Sequence, residues 1–442
     1  MKAAGKTVFF IFLFFGIMFT ACADGTQDTG SSGSALDFTV PAVSPVLSSP
    51  ESMSTDCTSA AALAYMQETN AGINIGNSLD AYSSDTYAAG STASETAWGN
   101  PEITQELLTA TARAGFGIVR IPVTWMGHID SKSTGYKVDK TYLARVARVV
   151  EYAHTAGLKV VINMHHDGSN SEHWLNINKA DDSTASYNEV TNEYIAVWTQ
   201  TASYFKNHGD YLMFEGLNEI QDGRWGWGVN RQDGGVQYGI VNKWNQAFVT
   251  AVRGTGGNNT YRYLVVAGYD TDIDLTVANL VLPSDPTAHR LIVSAHYYSP
   301  YEYTLEAQKH CWGSDYGGAS ASDCTNYGQE KSMEQQFAKL KTAYVDRGIP
   351  VYLGECGATY QKGYEKYRRY YMEYTAFTAH NCGIVPVYWD NGATSSGKEN
   401  EGLFYRSTAQ QAFPKILQAV MRGVSGETSV AIPGSDTTLD AE

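Results

Sequence analysis

Positive charge is in short supply along this chain. Lys and Arg number 31 against 46 Asp and Glu, for a net charge of -15. No basic stripe is present, so a phosphate backbone would be repelled and no nucleic-acid partner is expected. The six cysteines include no C-x-x-C pair, which argues against a zinc ribbon. H-E-x-x-H is absent, and with it the helical zinc-protease motif. G-x-S-x-G is absent too, which argues against a serine esterase. The N-terminal apolar run VFFIFLFFGIMF is shorter than the roughly 20 residues needed to cross a bilayer. No internal repeat is visible.

Aromatic residues, by contrast, are plentiful: they make up 12% of the chain, with 30 Tyr and 9 Trp. Flat, rigid rings with a polar edge suit sugars, peptides and protein surfaces. At the N-terminus, Lys2 and Lys6 precede the apolar run and TACAD follows it, the layout of a bacterial export signal over residues 1–23. Two readings of its processing stand. Ala21 and Ala23 frame a site for simple secretion, whereas FTAC makes Cys22 a lipid-anchored first residue at the membrane surface. The chain is therefore expected to be a secreted or cell-surface lipoprotein, and a monomer. Residues 24–56 are rich in Ser, Thr, Gly, Asp and Pro and read as a flexible spacer, with an ordered extension packed on the domain as the alternative. Residues 57–422 form the folded body and 423–442 a tail. Export permits disulfides. Cys311 and Cys324 bracket a Gly/Ser-rich loop and are the expected pair; Cys57, Cys356 and Cys382 are left over.

Short apolar runs alternate with longer amphipathic ones. The runs are GINIGNSL (72–79), GIVRIPV (117–123), KVVINMH (159–165), YLMFEGLN (211–218), RYLVVAG (262–268), RLIVSAHY (290–297), IPVYLGE (349–355) and IVPVYWD (384–390). The segments at 102–115, 141–157 and 332–348 keep helical spacing and stop at Gly. Eight such units predict an α/β fold, a (β/α)8 TIM barrel forming a single catalytic domain. Nearly continuous apolar strands fit a parallel sheet covered on both faces.

Five of the eight runs end in polar residues, and in such a barrel the strand ends converge on one mouth. His165, His166 and Asp167 close the third run, Asn218 and Glu219 the fourth, His296, Tyr297 and Tyr298 the sixth, Glu355 the seventh, and Trp389 and Asp390 the eighth; Arg120 lies on the second. Two opposed carboxylates in an aromatic cleft fit glycoside hydrolysis, one protonated and one ionised. Arg120 would keep the ionised one charged, and His296 and Tyr298 would tune the bonds around it. Glu215 shares the parity of Glu219 but lies deeper, and is expected to be a satisfied interior carboxylate. No metal or other cofactor is expected. Adjacent side chains on a strand diverge, so His165 and His166 do not easily share an ion.

The ordered stretches GINIGNSLDA, ETAWGNPEIT, GFGIVRIPVTW, VVINMHHDG, MFEGLNE, SAHYYSPY, PVYLGE and VYWDNG resemble glycoside hydrolase family 5 over about residues 60–422. The resemblance implies a retaining endo-acting β-glycanase on a β-1,4-glucan polysaccharide (cellulose, mixed-linkage glucan or xyloglucan). Glu219 would be the acid/base, Glu355 the nucleophile, and the carboxyl groups would stand about 5–5.5 Å apart. Asn218 would bind the sugar 2-hydroxyl. Arg120, His165, His296 and Tyr298 would form the polar shell, Trp389 the stacking platform, and His166 a further sugar contact. Trp98, Trp225 and Trp227 are candidates to line the cleft. Ile220 and Cys356 depart from the family's usual Pro and Phe, which puts local loop shape in question. The alternatives are a β-mannanase and a non-catalytic glycan-binding lipoprotein.

Overall fold

All eight apolar runs are parallel strands in the computed structural model, which describes residues 36–168, 173–227, 235–315 and 318–426. They are β1 Gly72–Ile75, β2 Ile118–Ile121, β3 Lys159–Asn163, β4 Leu212–Glu215, β5 Leu264–Ala267, β6 Leu291–Tyr297, β7 Val351–Cys356 and β8 Ile384–Asp390. In sequence order they close a barrel, with Gly72 of β1 beside both Ile118 of β2 and Val387 of β8. The export signal, residues 24–35, the end of the tail and residues 228–230 of the aromatic loop lie outside the described residues.

Helices cover the outside. Thr104 caps helix Gln105–Arg113 by accepting from Leu107 N, and Asp139 caps Lys140–Thr155. Gly115 and Gly157, at φ 104° and 84°, end them in the left-handed region. The third expected helix is Glu330–Ala343.

The barrel interior is layered. Helix Ser59–Gln67 closes the bottom, packing Ala62 and Met66 against Ile118, Val161, Met213, Val265, Ile292 and Val387. Two residues further along their strands, Arg120, Asn163, Glu215 and Ser294 face the same interior. Polarity thus rises toward the mouth.

The spacer expected over 24–56 is corrected from Phe38 onward: residues 38–56 lie against the barrel body. Phe38, Val40, Val43, Pro45 and Leu47 are half-buried, with exposed residues between them. The edge of one ring meets the face of the other between Phe38 and Tyr136, at 5.2 Å. Val46 N donates to Tyr204 O at 3.0 Å and Glu51 N to Asn207 O at 2.8 Å. Gly209 N donates to Glu51 Oε2 at 2.8 Å, and Arg290 Nη2 to Ser54 O at 2.7 Å. Spaced apolar residues give this extended strap a face to bury, and the barrel supplies its backbone with partners. At the other end, helix Pro414–Val424 carries the barrel slightly past residue 422.

Cys311 and Cys324 form a disulfide; Cys57, Cys356 and Cys382 are free thiols. No helix among the described residues is long and apolar enough to cross a membrane.

Candidate active site

Arg120 is the centre of the polar layer, with no exposed surface. Its Nε donates to Glu215 Oε2 at 2.7 Å, Nη1 to Glu355 Oε1 at 2.8 Å and Asn74 Oδ1 at 3.0 Å, and Nη2 to Asn218 Oδ1 at 2.7 Å. Burial opposes its charge, but Glu215, Tyr352 and Glu355 hold it protonated. Glu215 is satisfied from all sides, because Tyr352 OH donates to Oε1 at 2.6 Å and Asn163 Nδ2 to Oε2 at 3.1 Å.

Glu355 reaches the interior through an irregularity in β7. Tyr352 faces inward, so plain alternation would turn Glu355 toward the helices. The register shifts here instead: Leu353 pairs with Ala295, but Glu355, two residues on, pairs with His296, the very next residue of β6. The extra residue is Gly354, whose added Cβ would lie 2.7 Å from Ser294 Oγ and 2.9 Å from His296 Nε2. Such a bulge re-aims a side chain. Tyr298 OH donates to Glu355 Oε2 at 3.0 Å.

Glu219 lies beyond the end of β4. His296 Nδ1 meets its Oε1 at 2.6 Å and stands 3.8 Å from Glu355 Oε2. An oxygen of Glu219, an oxygen of Glu355 and a nitrogen of His296 all lie within 4.8 Å of one another. Burial raises the Glu219 carboxyl, but His296 beside it, with Arg120, outweighs burial and leaves it below the ordinary range. Glu355 lies above that range through burial and the charge of Glu219, against His296 and Arg120. Burial lowers His296, yet Glu355 and Glu219 lift it above its usual value. Taken singly, this order is the reverse of an acid at 219 and a nucleophile at 355. His296, 2.6 Å from Glu219, favours the proton on its own ring next to that carboxylate.

His165 is pushed well below its usual range by burial, helped by His166, Arg120 and His296, and is neutral. Val123 N donates to Asn163 Oδ1, which fixes that amide so that its Nδ2 donates to His165 Nδ1 at 3.1 Å. The ring hydrogen is then on Nε2, 3.8 Å from Glu355 Oε1. His165 and His166 do not diverge as expected. β3 ends at Asn163, His166 opens the turn His166–Gly168, and the ring centroids are 4.5 Å apart. With Asp80 they also present ligating atoms within 4.8 Å of one another.

Trp389 is half-buried and stacks on His165 at 5.5 Å; Gly76 makes room for it, since a Cβ there would lie 2.7 Å from the indole. Trp98, 39% exposed, donates Nε1 to Tyr82 O at 3.1 Å and leans on His166. The fold thus brings together Arg120, His165, Asn218, Glu219, His296, Tyr298, Glu355 and Trp389, with His166 and Trp98 at the edge. Trp225 and Trp227, 56% and 67% exposed, lie on the loop after Glu219. Asn74, Asn163 and Tyr352 escaped sequence reasoning. For the two asparagines the signal was a lone amide inside an apolar strand run; Tyr352 carried none.

Residues 79–395 match the sequence model of cellulase, glycosyl hydrolase family 5. Endoglucanase A of Paenibacillus barcinonensis is 36% identical over 85% of this chain and 93% of its own length. A xyloglucan-specific endo-β-1,4-glucanase of Bacteroides ovatus is 32% identical over 92% of this chain and 78% of its own. The structure of a broad-specificity endoglucanase from Bacteroides salanitronis superposes with TM-score 0.78 at 43% identity, covering 85% of this chain and 97% of that one.

Proposed function

The chain belongs to the cellulases of glycosyl hydrolase family 5 and is a glycoside hydrolase of β-1,4-glucans; we propose that Glu355 is its nucleophile and Glu219 its acid/base. Glu355 attacks the anomeric carbon as the glycosidic bond breaks and the leaving oxygen takes the proton of Glu219. Water then displaces the Glu355 ester while Glu219 takes back a proton, and the anomeric configuration is retained. Arg120 and Tyr298 keep Glu355 ionised and aimed. Asn218 presents its Oδ1 to Arg120, which leaves its amide nitrogen for the sugar 2-hydroxyl. When a neutral sugar expels water, separated charges become costlier. The proton then moves from His296 Nδ1 to Glu219 Oε1, and the acid is ready.

The observation that carries this reading is the close carboxylate pair with different partners: Arg120 and Tyr298 on Glu355, His296 on Glu219. Oxygens within 4.8 Å fit the retaining spacing of about 5–5.5 Å better than the about 6.5–9.5 Å that lets a water in between. Early-product NMR is expected to show the retained anomer; the inverted anomer refutes the scheme. Glu355→Gln should lower kcat by about 10³-fold or more while substrate still binds, whereas azide should rescue Glu219→Ala as the β-glycosyl azide. An active Glu355→Gln variant removes Glu355 from its role. Hydrolysis mainly of galactomannan would favour a mannanase. Export is part of this proposal, and the Cys311–Cys324 bridge supports it, since disulfides persist in oxidising compartments. Mass spectrometry of the mature N-terminus tests whether Cys22 carries lipid.

A further inference from the structure

Two buried polar atoms beside the bulge in β7 have no hydrogen-bond partner among the described residues: Ser294 Oγ and His296 Nε2. Both residues belong to β6, two positions apart, so their side chains share one side of that strand. Ser294 has no exposed surface and His296 is 8% exposed. A buried polar group left unpaired is costly, and two at one spot can be satisfied together.

The bulge supplies the common point. A Cβ on Gly354 would lie 2.7 Å from Ser294 Oγ and 2.9 Å from His296 Nε2. The two atoms are therefore close enough for a single water to span them with two bonds of about 2.7–3.0 Å. Glycine at 354 gives that water room. His296 Nδ1 is already committed to Glu219 Oε1 at 2.6 Å, so Nε2 is the ring's other end. Ser294 pairs in register with Tyr352, whose hydroxyl donates to Glu215 Oε1 at 2.6 Å. Ser294 thus stands in the polar layer under the site, with His296 above it.

We infer that Ser294 is a positioning residue for proton transfer: through one buried water it accepts the Nε2 hydrogen of His296 and keeps it on that nitrogen. This rests on the role of Glu219 as acid proposed above. With its remaining hydrogen held on Nε2, neutral His296 presents a bare Nδ1 to Glu219. The Nδ1–H bond breaks, the Oε1–H bond forms, and Nδ1 then accepts the hydrogen bond that it gave. Released from Ser294, the neutral ring can carry its one hydrogen on Nδ1 against the Glu219 carboxylate, and the acid is left without a proton. Around the ring, Glu219 and Glu355 bring negative charge and Arg120 positive charge, while His165 and Tyr298 are neutral. Replacing Ser294 changes none of these groups.

The test is the pH dependence of kcat/KM on soluble mixed-linkage glucan, with melting temperature measured alongside. Ser294→Ala removes the acceptor, so the His296–Glu219 pair gives up its proton at lower pH. The basic limb is expected to move down by about one unit, while the acid limb, which belongs to Glu355, stays in place. Ser294→Cys fills the same space with a weak acceptor and should move the limb in the same direction, which covers an unstable Ala variant. A serine that only fills space would lower the rate equally at every pH. A basic limb within about 0.2 units of wild type in either folded variant overturns the inference. Azide rescue of Glu219→Ala separates the two readings: without rescue the acid assignment fails and takes this inference with it, whereas rescue beside an unmoved limb removes only Ser294.

Discussion

Arg120 places one guanidinium between two carboxylates with different duties. Through Nε it is anchored to Glu215, deep in the barrel, and through Nη1 it holds Glu355 at the mouth. Glu215 is thus more than a satisfied interior group: it sets the position from which Arg120 reaches the nucleophile. Removing one partner of a buried ion pair costs about 3–5 kcal/mol. Glu215→Gln should therefore lower the melting temperature and, with Arg120 free to shift, kcat by about tenfold or more; a stable, fully active variant would restrict Glu215 to filling space. Tyr298 permits a second prediction. Its hydroxyl donates to the charged form of Glu355. Tyr298→Phe takes that bond away, so protonated Glu355 gains and the acid limb of the pH–rate profile moves to higher pH. A hydrogen bond to a charged group is worth about 1.5–3 kcal/mol, and about 1.4 kcal/mol is one pKa unit, so the shift should be about one to two units. An unmoved acid limb would mean that Tyr298 does not set the charge of Glu355.

Among the elements, β7 shows where sequence reading succeeds and where it stops. All eight strands were legible, because a parallel strand buried on both faces leaves a continuous apolar run. The Glu219–Glu355 pair was legible from strand ends and motif order. The bulge was not, since IPVYLGE has the same letters with or without the extra residue at Gly354. Nor could the sequence show that His165 and His166 approach each other, because that depends on where β3 stops. Asn74 and Asn163 were visible only as amides inside apolar runs. The bulge gives an element-scale prediction: Gly354→Ala drives a methyl into Ser294 and His296, which already touch that face. Overpacking of this kind costs about 1–3 kcal/mol, and it displaces His296 from Glu219. Activity measured beside thermal unfolding should show kcat down by about 100-fold with only a modest loss of stability; a variant with wild-type kcat would show that the bulge tolerates a side chain.

Across the whole molecule, the strap of residues 38–56 and the closed barrel bottom decide more than the surface charge does. The strap's bonds to Tyr204, Asn207, Gly209 and Arg290 span helices and loops far apart in sequence. A protein starting at residue 57 leaves those partners exposed or unpaired. Since about 1 kcal/mol moves the melting point by about 2–4 °C in mid-sized domains, it should melt several degrees lower, yet cleave soluble glucan at low temperature with near-unchanged kcat. Equal melting points would return the strap to the status of a spacer. The closed bottom also governs traffic. Helix Ser59–Gln67 and the apolar layer above it leave no passage along the barrel axis. Both halves of a cut chain must leave over the same rim by which the next chain arrives. Short products are therefore expected to meet incoming substrate at that rim, and added product should slow the initial rate of cleavage.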